Sequence, residues 1–176
     1  HTRNNVESDA PGGDPQDVQL VNKEWADSLL DQRHRGVLSG WVRLPWELNF
    51  GGVASYATGR PYNITTGADN NGDGSNTDRP VINGHVIGRN AGRGGDLYDL
   101  SLFLERDFPL SLLGGATFGL RAEVFNLTNH ENVVGYNGVY GNSANGQPLS
   151  TFGQPLGGIA NVEPGRQYQL QARLRF

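Results

Sequence analysis

The sequence predicts an all-β fold of antiparallel, up-and-down strands, about five of them, and three observations predict it. Five segments alternate apolar and polar residues with a period of two, the pattern of strands that present one apolar side and one polar side. The connections between those segments run short, long, short, long. The composition, with 26 Gly, 9 Pro and 36% hydrophobic residues, offers too little apolar content for a large water-soluble core and too much pattern for a disordered chain.

The first segment, RGVLSGWVRLP (35–45), alternates weakly. The second, WELNFGGVASYAT (46–58), places Trp46, Leu48, Phe50, Ala54 and Tyr56 on one face. In YDLSLFLERDF (98–108), Tyr98, Leu100, Leu102, Leu104 and Phe108 share a face, and Asp99, Ser101, Glu105 and Asp107 share the other, with Phe103 the exception. In ATFGLRAEVFN (116–126), Ala116, Phe118, Leu120, Ala122 and Val124 alternate with Thr117, Gly119, Arg121 and Glu123. In RQYQLQARLRF (166–176), Tyr168, Leu170, Ala172, Leu174 and Phe176 alternate with Gln and Arg. Segments one and two are separated only by the Pro45–Trp46 corner, and three and four only by PLSLLGG (109–115). Each of the other two gaps holds about 40 residues.

Tight turns at one end and long loops at the other are the signature of a partial outer-membrane-type barrel with long external loops. Strands of ~9–11 residues cross a bilayer when tilted, and these segments fit. Trp41, Trp46, Tyr56, Tyr98, Phe108, Tyr168 and Phe176, near strand ends, suit interfacial girdles. On this reading residues 1–34 form an external loop or N-terminal extended segment, and 35–176 form the barrel strands, with long loops at 59–97 and 127–165. The competing reading is a soluble secreted β-sandwich whose loops bind carbohydrate or another cell-surface ligand through Tyr62, Tyr136, Tyr140 and Phe152.

A net charge of −4 with few lysines argues against nucleic acid as a partner. No apolar run approaches the ~18 residues of a membrane helix. The absence of Cys removes disulfides, zinc–thiolate sites and thiol catalysis. The sequence opens at His1 without Met or a basic-then-apolar leader, so the expectation is a processed product or a fragment, cut within the polar stretch HTRNNVESDAPGGDPQD.

DQRHRGVLSGWVRLP (31–45), GGVASYATGRPYNITTGADNNGDGSNTDRP (51–80), LRAEVFNLTNHENV (120–133) and the terminal LRF (174–176) resemble the C-terminal end of TonB-dependent outer-membrane receptors. The closest type is the Oar-like group, which carries a carboxypeptidase-regulatory-like domain at its N-terminus. The stretches fall in the expected order and cover most of residues 27–176. The resemblance implies a plugged barrel of about 22 strands, of which this chain supplies about the last five. It implies location in the bacterial outer membrane, contact with outer-membrane lipid, and a parent receptor that binds or imports a bulky nutrient. The stretches include no plug or TonB box, so this chain by itself is expected to contribute wall and loops rather than energised import. Tyr168, Leu170, Ala172, Leu174 and the terminal Phe176 also resemble the signal that the outer-membrane barrel-assembly machinery reads by strand addition. The bland alternative is an ordinary amphipathic edge strand.

Five strands from a wider barrel leave two open edges, one near 36–44 and one at 166–176, and open edges template pairing. Either the remaining strands of the parent barrel complete them, or a free chain, extracellular if released, pairs with copies of itself into a β-rich oligomer, tube or filament.

The stretch GADNNGDGSNTDRP (67–80) reads as half of a calcium loop. Asp69, Asn71 and Asp73 fill the first three ligand positions, Gly74 takes the sharp turn, and Ser75 offers a carbonyl. Pro80 stands where the bidentate Glu belongs, and Asp78 is the available substitute. The alternative is a cluster of Asn and Asp side chains capping their own backbone. Ca²⁺ is the one cofactor the sequence suggests.

No enzyme is expected. His34 sits among Asp31, Arg33 and Arg35 in what reads as a local ion-pair network, and His130 lacks the second histidine of a zinc-protease helix. His1 and His85 have no evident partners, and NIT (63–65) and NLT (126–128) match glycosylation tripeptides that are common by chance. Arg89 and Arg93 in GRNAGRGGD (88–96) could hold an anion, although a flexible loop is the default for that composition.

Overall fold

The computed structural model describes residues 2–4, 24–110, 114–142, 146–158 and 161–176. Of the N-terminal stretch expected to carry a cleavage site, 2–4 alone are described, and His1 lies outside the described residues. The elements are β1 (Arg3–Asn4), β2 (Ala26–Asp27), β3 (Arg35–Leu44), β4 (Leu48–Ala57), β5 (Pro61–Tyr62), β6 (Val81–Ile82), β7 (His85–Val86), β8 (Gly92–Arg93), β9 (Leu97–Leu110), β10 (Ala116–Phe125) and β11 (Gln167–Arg175), with one 3₁₀ turn at Pro45–Glu47. The fold is all-β, without an α-helix among the described residues. The chain divides into a strand unit (34–57, 97–132, 164–176) and a loop unit (1–33, 58–96, 133–163).

The strand unit is one antiparallel sheet in the order β11-β10-β9-β4-β3, so β3 and β11 are its edges and the sheet does not close. Its register explains the alternation read from the sequence, because residues paired across strands share a face. One row runs Val42, Phe50, Leu104, Ala122, Leu170, and the next runs Gly40, Gly52, Leu102, Val124, Tyr168. Apart from the row that holds Arg106, the rows of this face carry apolar residues or glycine on every strand they cross. The opposite face collects Asn49, Glu105, Arg121 and Gln171 in one row.

Trp41, expected among the girdle aromatics, pairs with Gly51 opposite Phe103 and so belongs to the polar face, and two further residues need comment. Trp46 lies in the tight turn, not on the apolar side of β4, because pairing Leu44 with Leu48 forces the chain round through Trp46 and Glu47 at φ of 62° and 59°. Arg106, left unassigned by the alternation, pairs with Leu48 and Leu120 and so belongs to the apolar face.

β9 outruns β10, and the segment after β10 covers the excess. The backbone N–H of Leu127 donates to the Leu100 carbonyl at 2.8 Å. Beyond it, the buried Asn132 side chain acts as one more strand residue: its Oδ1 accepts from the Tyr98 N–H at 2.9 Å and its Nδ2 donates to the Tyr98 carbonyl at 3.1 Å. Asn126 and Asn129 tie the same turn to the start of β11, through Asn126 Nδ2 to the Pro164 carbonyl and the Arg166 N–H to Asn129 Oδ1. Asn132→Ala is therefore expected to destabilise this corner by about 2–4 kcal/mol, the cost of two unmatched backbone groups, with faster amide exchange confined to 97–100. Uniform exchange across β9 would contradict the role assigned to Asn132.

In the loop unit, two-residue ladders pair β1 with β2, β5 with β8 and β6 with β7. Its interior is polar: Glu24, Ser28, Asp31, Thr66, Asp78, Arg89 and Asn90 are buried. Hydrogen bonds and ion pairs must therefore supply what an apolar core usually does.

Candidate functional site

The apolar face of the sheet is lined by exposed hydrophobic side chains. Leu38 (76% exposed), Val42, Leu44, Phe50, Leu104, Leu120, Leu170 (72%) and Leu174 are all exposed on it. Ala116 and Val133 are the buried hydrophobic residues of the described chain. Aromatics mark both ends of this face. Tyr56 pairs with Tyr98 near the strand ends where the long segments attach, and Phe108 packs against Phe118 at 6.3 Å toward the tight turns. Tyr98 also stacks on His130 with centroids 3.6 Å apart.

The polar face is cross-braced by charge. Arg121 donates to Glu105 at 3.1 Å and to Glu123 at 2.7 Å, and Arg173 donates to Glu105 at 2.9 Å. Arg175 lies 3.6 Å from Asp107. Phe103, the exception in the alternation, is accommodated here beneath the Arg121 guanidinium, 4.0 Å from its ring centroid. Opposite Phe103, Gly51 leaves the space for the ring, since a Cβ there would come within 2.8 Å of it.

The edge-strand residues singled out in the sequence are on β11: Tyr168, Leu170, Ala172 and Leu174 pair with Val124, Ala122, Leu120 and Phe118 of β10. Among the described residues no strand pairs with their other backbone edge. Phe176 follows the strand and is 96% exposed.

In the 67–80 loop the five candidate calcium ligands come together as a network of backbone caps. Asp69 Oδ1 accepts from the Gly72 and Asp73 N–H groups, and its Oδ2 from Gly74. Asp78 Oδ2, on a residue 2% exposed, accepts from Asn70 at 2.5 Å and Asn71 at 2.9 Å. Asn71 Oδ1 accepts from the Asp73 N–H, and Asp73 Oδ1 from Ser75. Among the described residues no group of three His, Cys, Asp or Glu side chains is placed to hold a metal ion. The hydrogen bonds by themselves account for the loop's shape. Calorimetric titration with Ca²⁺ is expected to give no saturable heat, whereas Asp78→Ala is expected to loosen the loop with or without the ion. A saturable heat abolished by Asp69→Asn would assign a cation site.

Arg89 and Arg93 are structural rather than loose. Arg89 Nε donates to the Glu24 carbonyl at 2.9 Å and its Nη2 to the Asn4 carbonyl and side chain. Arg93 bridges the Gly59 carbonyl, Asp27 and Asp31. The Thr2 N–H at 2.6 Å holds the Asp31 carboxyl below its ordinary range despite burial, with Arg93 acting in the same direction. His34 is exposed just before β3, and of the residues around it Arg33 pairs with Asp31 and also with Asp27.

The loop aromatics pair with one another: Tyr62 stacks on Tyr136 at 5.6 Å, and Tyr140 meets Phe152 edge-on at 5.1 Å. Burial raises the Tyr62 phenol above its usual range, with Tyr136 adding to the shift. Tyr62 and Tyr136 also line an open hollow of about 350 Å³ with Asn63, Thr65, Asn76 and Thr77, a wall without a charged group. Sequence reasoning missed Glu24, Arg79 and Asn132, because their partners are far along the chain or on its backbone. Comparison with protein-family models, curated protein sequences and solved structures returns no match for this chain.

Proposed function

We propose that the chain forms part of the wall of an outer-membrane β-barrel of the TonB-dependent-receptor type, with its apolar face on lipid and its ion-paired face toward the lumen. The observation that carries this reading is the uncovered apolar face, continuous across five registered strands and rimmed by aromatics at both ends. A soluble sandwich would require a second sheet against that face. A membrane-spanning wall requires only lipid there, and strands of 9 to 14 residues are long enough to cross. On this reading the long loops present the binding surface of a parent receptor for a bulky nutrient, and no catalysis is assigned.

Because the chain lacks Cys, single-cysteine variants along β11 carry an environment-sensitive label cleanly. With the full chain in phospholipid vesicles, labels at 168, 170, 172 and 174 are expected to be quenched by brominated lipid. Labels at 169, 171 and 173 should respond to aqueous iodide instead. Loss of that alternation would refute the reading.

A free chain is proposed to self-associate through its edges. β3 and β11 run in the same direction, so copies oriented alike would meet β11 to β3 in parallel. Like edges meet antiparallel about a two-fold axis. In a β11–β11 pair centred on Ala172, Leu170 faces Leu174 and Gln171 faces Arg173, without opposing like charges. Chromatography in detergent-free buffer should show an assembly, and a monodisperse 19.1 kDa particle would exclude it.

A further inference from the structure

Arg106 is the one charged residue on the apolar face, and on the membrane reading, on which this inference rests, it faces lipid. We propose that Arg106 is a phospholipid-headgroup site that fixes the depth of the sheet in the bilayer by binding the phosphate of a lipid in the turn-side leaflet. Three observations place it there.

First, its position along β9 is right. Tyr98 begins the apolar face of β9 at the loop end, and Arg106 follows eight residues later. Eight residues span about 26 Å along a strand, or about 20 Å along the membrane normal at a tilt of about 40°. An outer-membrane apolar band is about 25 Å tall, so Arg106 lies within about 5 Å of the far boundary and not at the middle. There an arginine costs about 0–1 kcal/mol, against about 2–4 at the midplane.

Second, the side chain leans outward. Its guanidinium lies over the Phe108 ring, 4.7 Å from the centroid, and Phe108 is the next residue of the same face toward the tight turns. Third, no carboxylate answers it. The nearby arginines Arg121 of β10 and Arg173 of β11 are paired on the polar face. Arg106 forms no ion pair among the described residues, and its Nε is buried without a hydrogen-bond partner. A planar fork of N–H donors held at an interface suits the oxygens of a phosphate diester.

Depth is read on the full chain with a fluorophore on Leu170→Cys, quenched by lipids brominated at successive positions. In phosphatidylglycerol/phosphatidylethanolamine vesicles, Arg106→Gln is expected to shift the label by about one residue rise, ~3 Å, and Arg106→Lys to keep the parent depth. In bilayers of digalactosyl diacylglycerol, which has no phosphate, parent and Arg106→Gln should coincide, and added inorganic phosphate should not separate them. Equal depths for parent and Arg106→Gln in phospholipid would overturn the headgroup site and leave the membrane reading standing. Separation by inorganic phosphate alone would overturn the lipid assignment. A label that no brominated lipid quenches would refute the membrane reading, and this inference with it.

Discussion

Leu102→Lys is expected to weaken membrane integration of the full chain by about 2–4 kcal/mol, roughly 30- to 800-fold in the partition equilibrium. Leu102 stands midway between Tyr98 and Arg106 on the apolar face of β9, between Gly52 of β4 and Val124 of β10. A cation there would lie at the centre of the apolar band with no carboxylate on its own face. It is also too far from either rim for the side chain to carry its charge out to water. The comparison that gives the number meaning is Gln169→Lys. Gln169 is on the opposite face of β11, directly across from Glu123, so the added cation gains a partner and should change integration by less than about 0.5 kcal/mol. Urea titration of vesicle-bound protein, followed by protease protection, measures both. Equal losses for the two variants would mean that the faces do not differ in environment.

That contrast was legible in the sequence because strand periodicity is local. Alternation in 98–108, 116–126 and 166–176 assigned nearly every residue to the face on which the register puts it. Arg106 escaped because one charge in an apolar stripe has no meaning until the strand has a membrane depth. Trp46 was misassigned because period two was carried through a turn whose positive φ values break it. The loop unit was opaque for a different reason. Arg89 reaches a partner 85 residues away, and Asn132 recognises backbone rather than a side chain, so neither leaves a periodic trace. In the 67–80 loop the oxygen-rich spacing was plain from sequence. Its use was not, because Asp78 folds back onto amides seven and eight residues earlier.

In the loop unit, Arg79→Ala is expected to cost about 3–5 kcal/mol, enough to open that unit while the strand ladder persists. Arg79 meets Glu24 as a bidentate fork, at 2.5 and 2.6 Å, with side chains only 9% and 3% exposed. Removing the guanidinium strands a carboxylate where water cannot reach it. The effect should spread through the neighbouring residue. Asp78 holds the Thr66 amide with its carbonyl and the Asn70 and Asn71 amides with its side chain, so releasing Arg79 frees the clamp on the 67–80 loop. Hydrogen exchange should therefore quicken at 66, 70 and 71 with little change at 100–106. The double variant Glu24→Ala/Arg79→Ala separates a true pair from two unrelated contacts. If the cost of the single change is mainly an orphaned charge, the double variant is more stable than the sum of the two singles predicts, by at least about 1 kcal/mol. Strict additivity would show instead that each side chain acts through other neighbours. The Glu24 carbonyl, which accepts from Arg89 Nε at 2.9 Å, would then be the contact that anchors residues 24–27.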